Sequence, residues 1–532
     1  MCNSPQTPSI HILDDDSLLH IFYLYRPFLL GEDEDDIAHL VGGERDWVRG
    51  RWWYKLAHVC QRWRILILGS ASYLGLSLVC TYGTPIADML AHSPHLPLTI
   101  DYSYGDHDIT ARDEEGAVLA LKQRDRVRHV RLFMTATGLR NLIGAMDDDY
   151  PILEYLIIAP PNNDTSTILI LPETLQAPHL RHLSLVGFAL PIGSRLLTTV
   201  VGVVTLFLRM KHPSTYFHPN AFLHWLSFMP QLETLVVLFS LAAPILPNHE
   251  IENQPMHTSI ITPVTLPNLC YFRFGGVSTD LEALIHRIIT PRLEKLQIDF
   301  YNQPFSLPHL QQLLNTTENL SFDSAEFCFH DEEASVRVYS RETEMYTLSM
   351  NVFSWHLDWQ VSSVALISQS LSQVFSAVER LTLGHRLHRF SFGEHNEVDR
   401  AEWRKLLNPF RNMKTLRIDN GLVEQISRCL ESEDGEPSLE LLPELQELTY
   451  SGSGDSRDAF TSFIKARQDA GRPVTLVPGP DDTSLVSHAQ VSPVITSGSS
   501  EAGSDLDIEG NSHTRTTEPH SANDAPQLLS QQ

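Results

Sequence analysis

The chain has 532 residues, 42% hydrophobic and 20% charged, and its 39 basic and 65 acidic residues leave a formal net charge of −26. That length exceeds one compact core, the composition excludes a fibrous or wholly unstructured chain, and the negative field makes nucleic acid and anionic lipid poor partners. Six widely spaced cysteines, a polar start and a longest apolar run of only Leu196 to Leu208 predict a reduced, soluble protein of the cytoplasm or nucleus.

The spacing predicts a short amphipathic helix over 14–25. Asp14, Asp15 and Asp16 supply capping oxygens and favourable charge, and Leu18, Ile21, Phe22 and Tyr25 share one face. Pro27 limits its extension, and a loop over 26–51 carries the acidic run Glu32 to Asp36. Trp52, Leu56, Val59, Cys60, Trp63, Leu66 and Ile67 then form one stripe of a longer helix that stops at Gly69 and Ser70. Leu74, Leu76, Leu78 and Cys80 alternate as in a strand, Pro85 opens a helical segment, and Leu96, Leu98, Ile100 and Tyr102 alternate again.

A repeat emerges from here on. The pattern Pro-x-Leu-x-x-Leu-x-apolar starts at Pro151, Pro178, Pro230, Pro267, Pro291 and Pro443, and related copies without proline start at Val127, Val203, Val378 and Met413. The second apolar positions are Val130, Leu156, Leu183, Leu206, Leu235, Phe272, Leu296, Leu381, Leu416 and Leu448. The gap between Leu296 and Leu381 predicts a degenerate copy near Asn319 to Phe322. Each copy places aliphatic side chains on one face of a short strand, with proline just before it, and a returning helix follows. One such unit cannot bury its apolar face alone, but stacked neighbours can. A helix around Phe460, Phe463 and Ile464, then Val474 and Leu476, closes the array. Residues 480–532 hold no Phe, Tyr or Trp and carry eight acids against Arg515 alone, so a disordered acidic tail is expected over 479–532.

Chemistry-bearing motifs are sparse. The sequence holds no phosphate loop, no His-Glu-x-x-His and no Gly-x-Ser-x-Gly, so no catalytic residue, metal ligand or cofactor is predicted. Gly275-Gly276 and Gly452-Ser453-Gly454 look like loop breakers, His385 and His388 lack a neighbouring third ligand, and Cys60 stands on an apolar stripe where a thiol is inert. The basic stretch Lys122, Arg124, Arg126, Arg128, His129 and Arg131 is expected to be a solvated edge. Phe353, Trp355, Leu357 and Trp359 alternate as on one strand, as buried core or, alternatively, as an exposed platform.

The segments Leu13 to Phe22 and Leu56 to Arg64, with Val59-Cys60-Gln61-Arg62-Trp63 at their centre, resemble an F-box. That family pairs a helix ending in Ile-Phe with a valine-cysteine-basic-basic-tryptophan helix. Asp14 stands where the family has proline, and the stretch from Tyr25 to Trp52 is longer than the family's connection. The resemblance spans residues 9–70, and the repeats behind it resemble those of F-box proteins with leucine-rich repeats. It implies an α/β chain in three parts: a helical module over 9–72, an irregular leucine-rich-repeat-like solenoid over 73–478, and the tail. It also implies a substrate-recognition subunit of a Skp-cullin-F-box ubiquitin ligase. Leu13, Leu18, Ile21, Phe22, Leu56, Val59, Cys60 and Trp63 would build the adaptor-binding module, and the solenoid would hold a protein target. The alternative is a repeat protein that binds a partner with no ligase connection, its first helices serving as a cap.

Overall fold

The computed structural model describes residues 13–26, 51–103, 109–161, 168–191, 193–212, 215–217, 219–239, 263–301, 306–317, 320, 322–340, 345–386, 398–431, 441–451 and 458–479. Most of the acidic loop, His388, Gly452 to Gly454 and the acidic tail lie outside them.

Among the described residues four helices come first: α1 (Asp15–Tyr25), α2 (Trp52–Ala57), α3 (Gln61–Gly69) and α4 (Ala71–Leu74). The single long helix expected from Trp52 onward is two. The backbone turns extended at Cys60, whose thiol accepts a hydrogen bond from the Trp63 N–H at 3.5 Å and so caps a new helix. A cap residue cannot also continue the preceding helix, because its φ and ψ are not helical. The break changes the apolar stripe: Trp53 rather than Trp52 enters the core, and its indole donates to the Ser77 carbonyl at 3.3 Å. Leu74 also belongs to a helix rather than a strand. Gly75, with φ +63°, closes α4 in the left-handed region that a side chain disfavours.

The repeats form a single 16-stranded sheet. Its first nine strands are β1 (Leu78–Cys80), β2 (Leu98–Tyr102), β3 (Val127–Phe133), β4 (Tyr155–Ala159), β5 (His182–Val186), β6 (Thr205–Met210), β7 (Thr234–Phe239), β8 (Tyr271–Gly276) and β9 (Lys295–Tyr301). The remainder are β10 (Ser324–His330), β11 (Glu333–Tyr339), β12 (Tyr346–Phe353), β13 (Arg380–Arg386), β14 (Thr415–Ile418), β15 (Glu447–Tyr450) and β16 (Thr475–Pro478). Two further strand pairs, Leu169–Ile170 with Phe188–Ala189 and Val264–Thr265 with Ile288–Ile289, stand apart from it.

The second apolar position of the repeat sets the register. Val130, Leu156, Leu183, Leu206, Leu235, Phe272 and Leu296 are successive partners across the parallel ladder, and Leu381, Leu416, Leu448 and Leu476 continue it. Slipping by one residue would turn every one of these side chains to the other face, so burial fixes the pairing. Proline does not abut the strand as expected but sits four residues ahead of it. In each of the six copies the leucine two residues after proline donates its N–H three residues back, as from Leu180 to the Ala177 carbonyl at 3.0 Å and from Leu153 to that of Tyr150 at 3.3 Å. Proline is thus the second residue of a β-turn, where its fixed φ is already the one required.

The gap after Leu296 hides two copies and an inversion. The strand begins at Ser324, beyond the expected Asn319–Phe322, and β9 pairs instead with β12. The spatial order there runs β9, β12, β11, β10, β13, with β11 antiparallel to both its neighbours and every other pairing of the sheet parallel. Ala325 and Leu348 are the missing register positions, in contact with Leu381 and Leu296 respectively. Two further expectations change. Gly275 and Gly276 end a strand, where a Cβ on Gly275 would come within 2.8 Å of the Tyr301 hydroxyl. The strand carrying Phe353 ends there, and Leu357 starts the helix Leu357–Ser370.

Leucines of the strands and of the returning helices join one continuous core from Leu18 to Val474. Alternate strand positions enter this core, and those between them make the opposite face, here called the open face.

Candidate interaction surfaces

At the N-terminus the local chemistry locks α1 onto α3. Asp14 caps α1 by accepting the Ser17 N–H at 2.7 Å, and that hydrogen bond holds its carboxyl below the usual carboxylate range. The Arg62 guanidinium donates to Asp15 Oδ1 at 3.0 and 2.6 Å and to the Leu13 carbonyl at 2.7 Å. Phe22 meets the Trp63 ring edge-on at 4.8 Å. Two apolar sets result. Leu18, Phe22, Trp53, Ala57, Ile67 and Leu74 are sealed inside, whereas Ile21 (43% exposed), Leu24, Tyr25, Val59 (59%), Ile65 and Tyr73 face out.

Of the eight residues read from the sequence as adaptor-binding, Ile21 and Val59 are exposed. Leu13, Leu56, Cys60 and Trp63 are half-buried, and Leu18 and Phe22 are closed off from any partner by the chain's own core. Leu24 falls three residues after Ile21 on the same outward face of α1, a position periodicity alone could have supplied. Val59 is outward because it lies in the break between α2 and α3, which periodicity could not supply.

The open face of the sheet alternates with the leucines and divides into three zones. In the first, His129 packs edge-on against Tyr155 at 4.8 Å, and Tyr155 stacks on His182 at 4.1 Å. Partial burial and the neighbouring Arg128 push His129 down to about 4 against the opposing pull of Glu154. In the second, Ala159, Val186, Phe207 and Val236 pack into a small cluster separate from the main core. The third is a polar band over β8 to β12. Arg273 donates to Asp299 Oδ2 through Nε and NH2 at 3.0 and 2.9 Å, and Asn351 donates to Oδ1 at 2.7 Å. Asp299 is 4% exposed, and a carboxyl group so far from water needs these donors in place of solvent. Glu326 beyond it accepts from the Tyr339 hydroxyl at 2.7 Å, which helps hold its carboxyl down despite burial.

The basic stretch at 122–131 is largely occupied within the chain. Arg124 pairs with Asp147 and Asp148, and Arg128 with Glu154; Arg126, far from being a solvated edge, is buried and donates to the carbonyls of Leu96 and Pro94. Burial pushes the thiols of Cys80 and Cys429 up to about 12. Among the described residues no group of three His, Cys, Asp or Glu is placed to hold a metal, and no helix is long and apolar enough to cross a membrane.

No protein-family model matches the sequence, and no curated protein does either. Among solved structures the chain is similar to the leucine-rich repeat-containing protein LegL7 from Legionella pneumophila. The identity is 10% over 73% of this chain and 97% of that one, with a TM-score of 0.22. An overlap that low carries no argument, and the solenoid assignment rests on strand order and register.

The two indoles of the supposed Phe353–Trp359 strand lie outside the core altogether: Trp355 is 70% and Trp359 61% exposed. Period two ends with the strand at Phe353, so the alternation does not set the side the indoles take, and of the two alternatives the exposed one is found.

Proposed function

We propose that this chain is a protein-binding scaffold that recognises substrates for a Skp-cullin-F-box ubiquitin ligase. On this reading the outward face of its first helices docks on a Skp-type adaptor, and the solenoid holds a protein target. The observation that carries it is the split of the N-terminal apolar residues. A helix pair serving only its own core would place its large aliphatics inward. Here Ile21, Leu24, Tyr25, Val59 and Ile65 stay in water beside a completed core. The mechanism is proximity: one end is held by the ligase and the other holds the target, so effective concentration rises and no catalytic group or cofactor of this chain is required.

A second reading has its own support. The N-terminal helices share one continuous core with the repeats, as a solenoid cap would, so the chain could bind partners with no ligase connection. Adaptor pull-down separates the two. The exposed substitutions Ile21→Asp and Val59→Asp should leave folding within about 0.5 kcal/mol of the parent. Under the ligase reading they abolish capture of the adaptor. A folded parent chain that captures none supports the cap reading.

A further inference from the structure

We propose that the ledge carrying Trp355 and Trp359 is a docking site for a partner segment that presents arginine or lysine among apolar side chains. The inference rests on the protein-binding reading above but not on the ligase connection. Trp53, Trp225 and Trp403 are buried, whereas the two indoles of the ledge stand mostly in water. Leaving a side chain of that size exposed forgoes the gain of burial, which a bound partner recovers.

The ledge is rigid. The turn between β10 and β11 and the segment after β12 are tied together by the Ser354 N–H donating to the Glu332 carbonyl at 2.9 Å. Buried Gln360 donates to the carbonyls of both His330 and Ser354, each at 2.7 Å. Preorganisation of this kind lowers the ordering cost of binding. The ledge also stands where the repeat inverts, so its shape is not repeated elsewhere along the sheet.

Its charge selects the occupant. Glu332 is exposed, Asp331 and Asp358 are half-exposed, and Asp358 accepts the Trp359 N–H at 2.8 Å. Glu333 adjoins them, its carboxyl raised by burial and by Asp299. The facing cations are Arg386, across from His330, and Arg337; burial, Arg386 and Arg337 push the His330 imidazole down, Arg337 and Arg273 oppose the rise at Glu333, and His356 lies between the two indoles in sequence. Among the described residues the acidic groups Asp331, Glu332, Glu333 and Asp358 therefore outnumber the cations Arg386 and Arg337 around the indoles. A guanidinium or ammonium over an indole gains from the ring's negative face and from a neighbouring carboxylate. An anionic segment would be repelled, and a wholly apolar one would strip water from carboxylates without replacing it.

The test uses the full chain and two labelled synthetic peptides, one alternating arginine with leucine and one with glutamate in place of arginine. The arginine peptide should bind and alter tryptophan fluorescence, and the glutamate peptide should not. Trp355→Ala with Trp359→Ala should weaken that binding by about tenfold or more, and Glu332→Lys with Asp358→Lys should do the same. All four positions reach the surface, so circular dichroism should match the parent. Equal binding of both peptides, binding by neither, or binding indifferent to the tryptophan pair would overturn the proposal. Adaptor capture reads out the Ile21 face separately, so failure of one is distinguishable from failure of the other.

Discussion

Residues 13–74 and residues 78–478 dispose of their apolar side chains in different ways. In the strand Lys295–Tyr301 the division follows polarity: Leu296, Ile298 and Phe300 go under the helices, while Lys295, Gln297 and Asp299 take the opposite face. In the first helices both sides are apolar, with Leu18 and Phe22 inward and Ile21, Leu24 and Tyr25 outward. A strand in a stacked solenoid has one neighbour layer to satisfy, so its other face can be polar. The helices at the end of the array have fewer neighbours, and an apolar outer face there has use only if something else covers it.

The largest expected effect tests the inside of the body against the inside of the N-terminal helices. Trp403 is wholly buried against Phe329, with its indole donating to Gln425 at 3.1 Å, so Trp403→Ala should cost about 3–5 kcal/mol in urea unfolding. Trp63 is only half-buried, and Trp63→Ala should cost less, about 2 kcal/mol. Equal losses would mean the two regions are packed alike.

Between these lies the polar band. Arg273→Met would leave Asp299 to Asn351 alone. Because the Arg273 side chain is 27% exposed, the loss should fall below that of a fully buried pair, at about 2–3 kcal/mol in the same measurement. A neutral result would mean water already serves Asp299.

The smallest effect is a pH dependence carried by the open face. His129 is depressed to about 4 in the folded chain, from 6.5. Below pH 6.5 the unfolded chain takes up the proton first, so the contribution of His129 is full above that pH and is lost as pH falls toward 4. Urea midpoints recorded from pH 7 to pH 4 should fall less steeply in His129→Gln than in the parent. Ile21→Asp should retain the parent's slope. An unchanged slope in His129→Gln would show that the imidazole titrates freely.

How much of this was legible beforehand depends on the range of the interaction. Periodicity found α1 with its Asp14 cap, and the Leu-x-x-Leu spacing located ten of the register positions, because local turns and one-sided burial leave a period in the chain. It missed Ala325 and Leu348, since an inserted antiparallel strand carries no proline turn and pairs across a reversed order. The candidate surfaces were less legible still. That Leu18 and Phe22 are sealed while Val59 and the two indoles stand in water depends on a helix break at Cys60 and a strand end at Phe353.

Sequence alone determined that strands and helices must alternate and which side chains must share a face, because those follow from contacts a few residues apart. Tertiary structure decided which faces stay open, because exposure depends on what packs from elsewhere in the chain. The Arg273–Asp299–Asn351 network joins three strands distant in sequence, and no local pattern records that meeting.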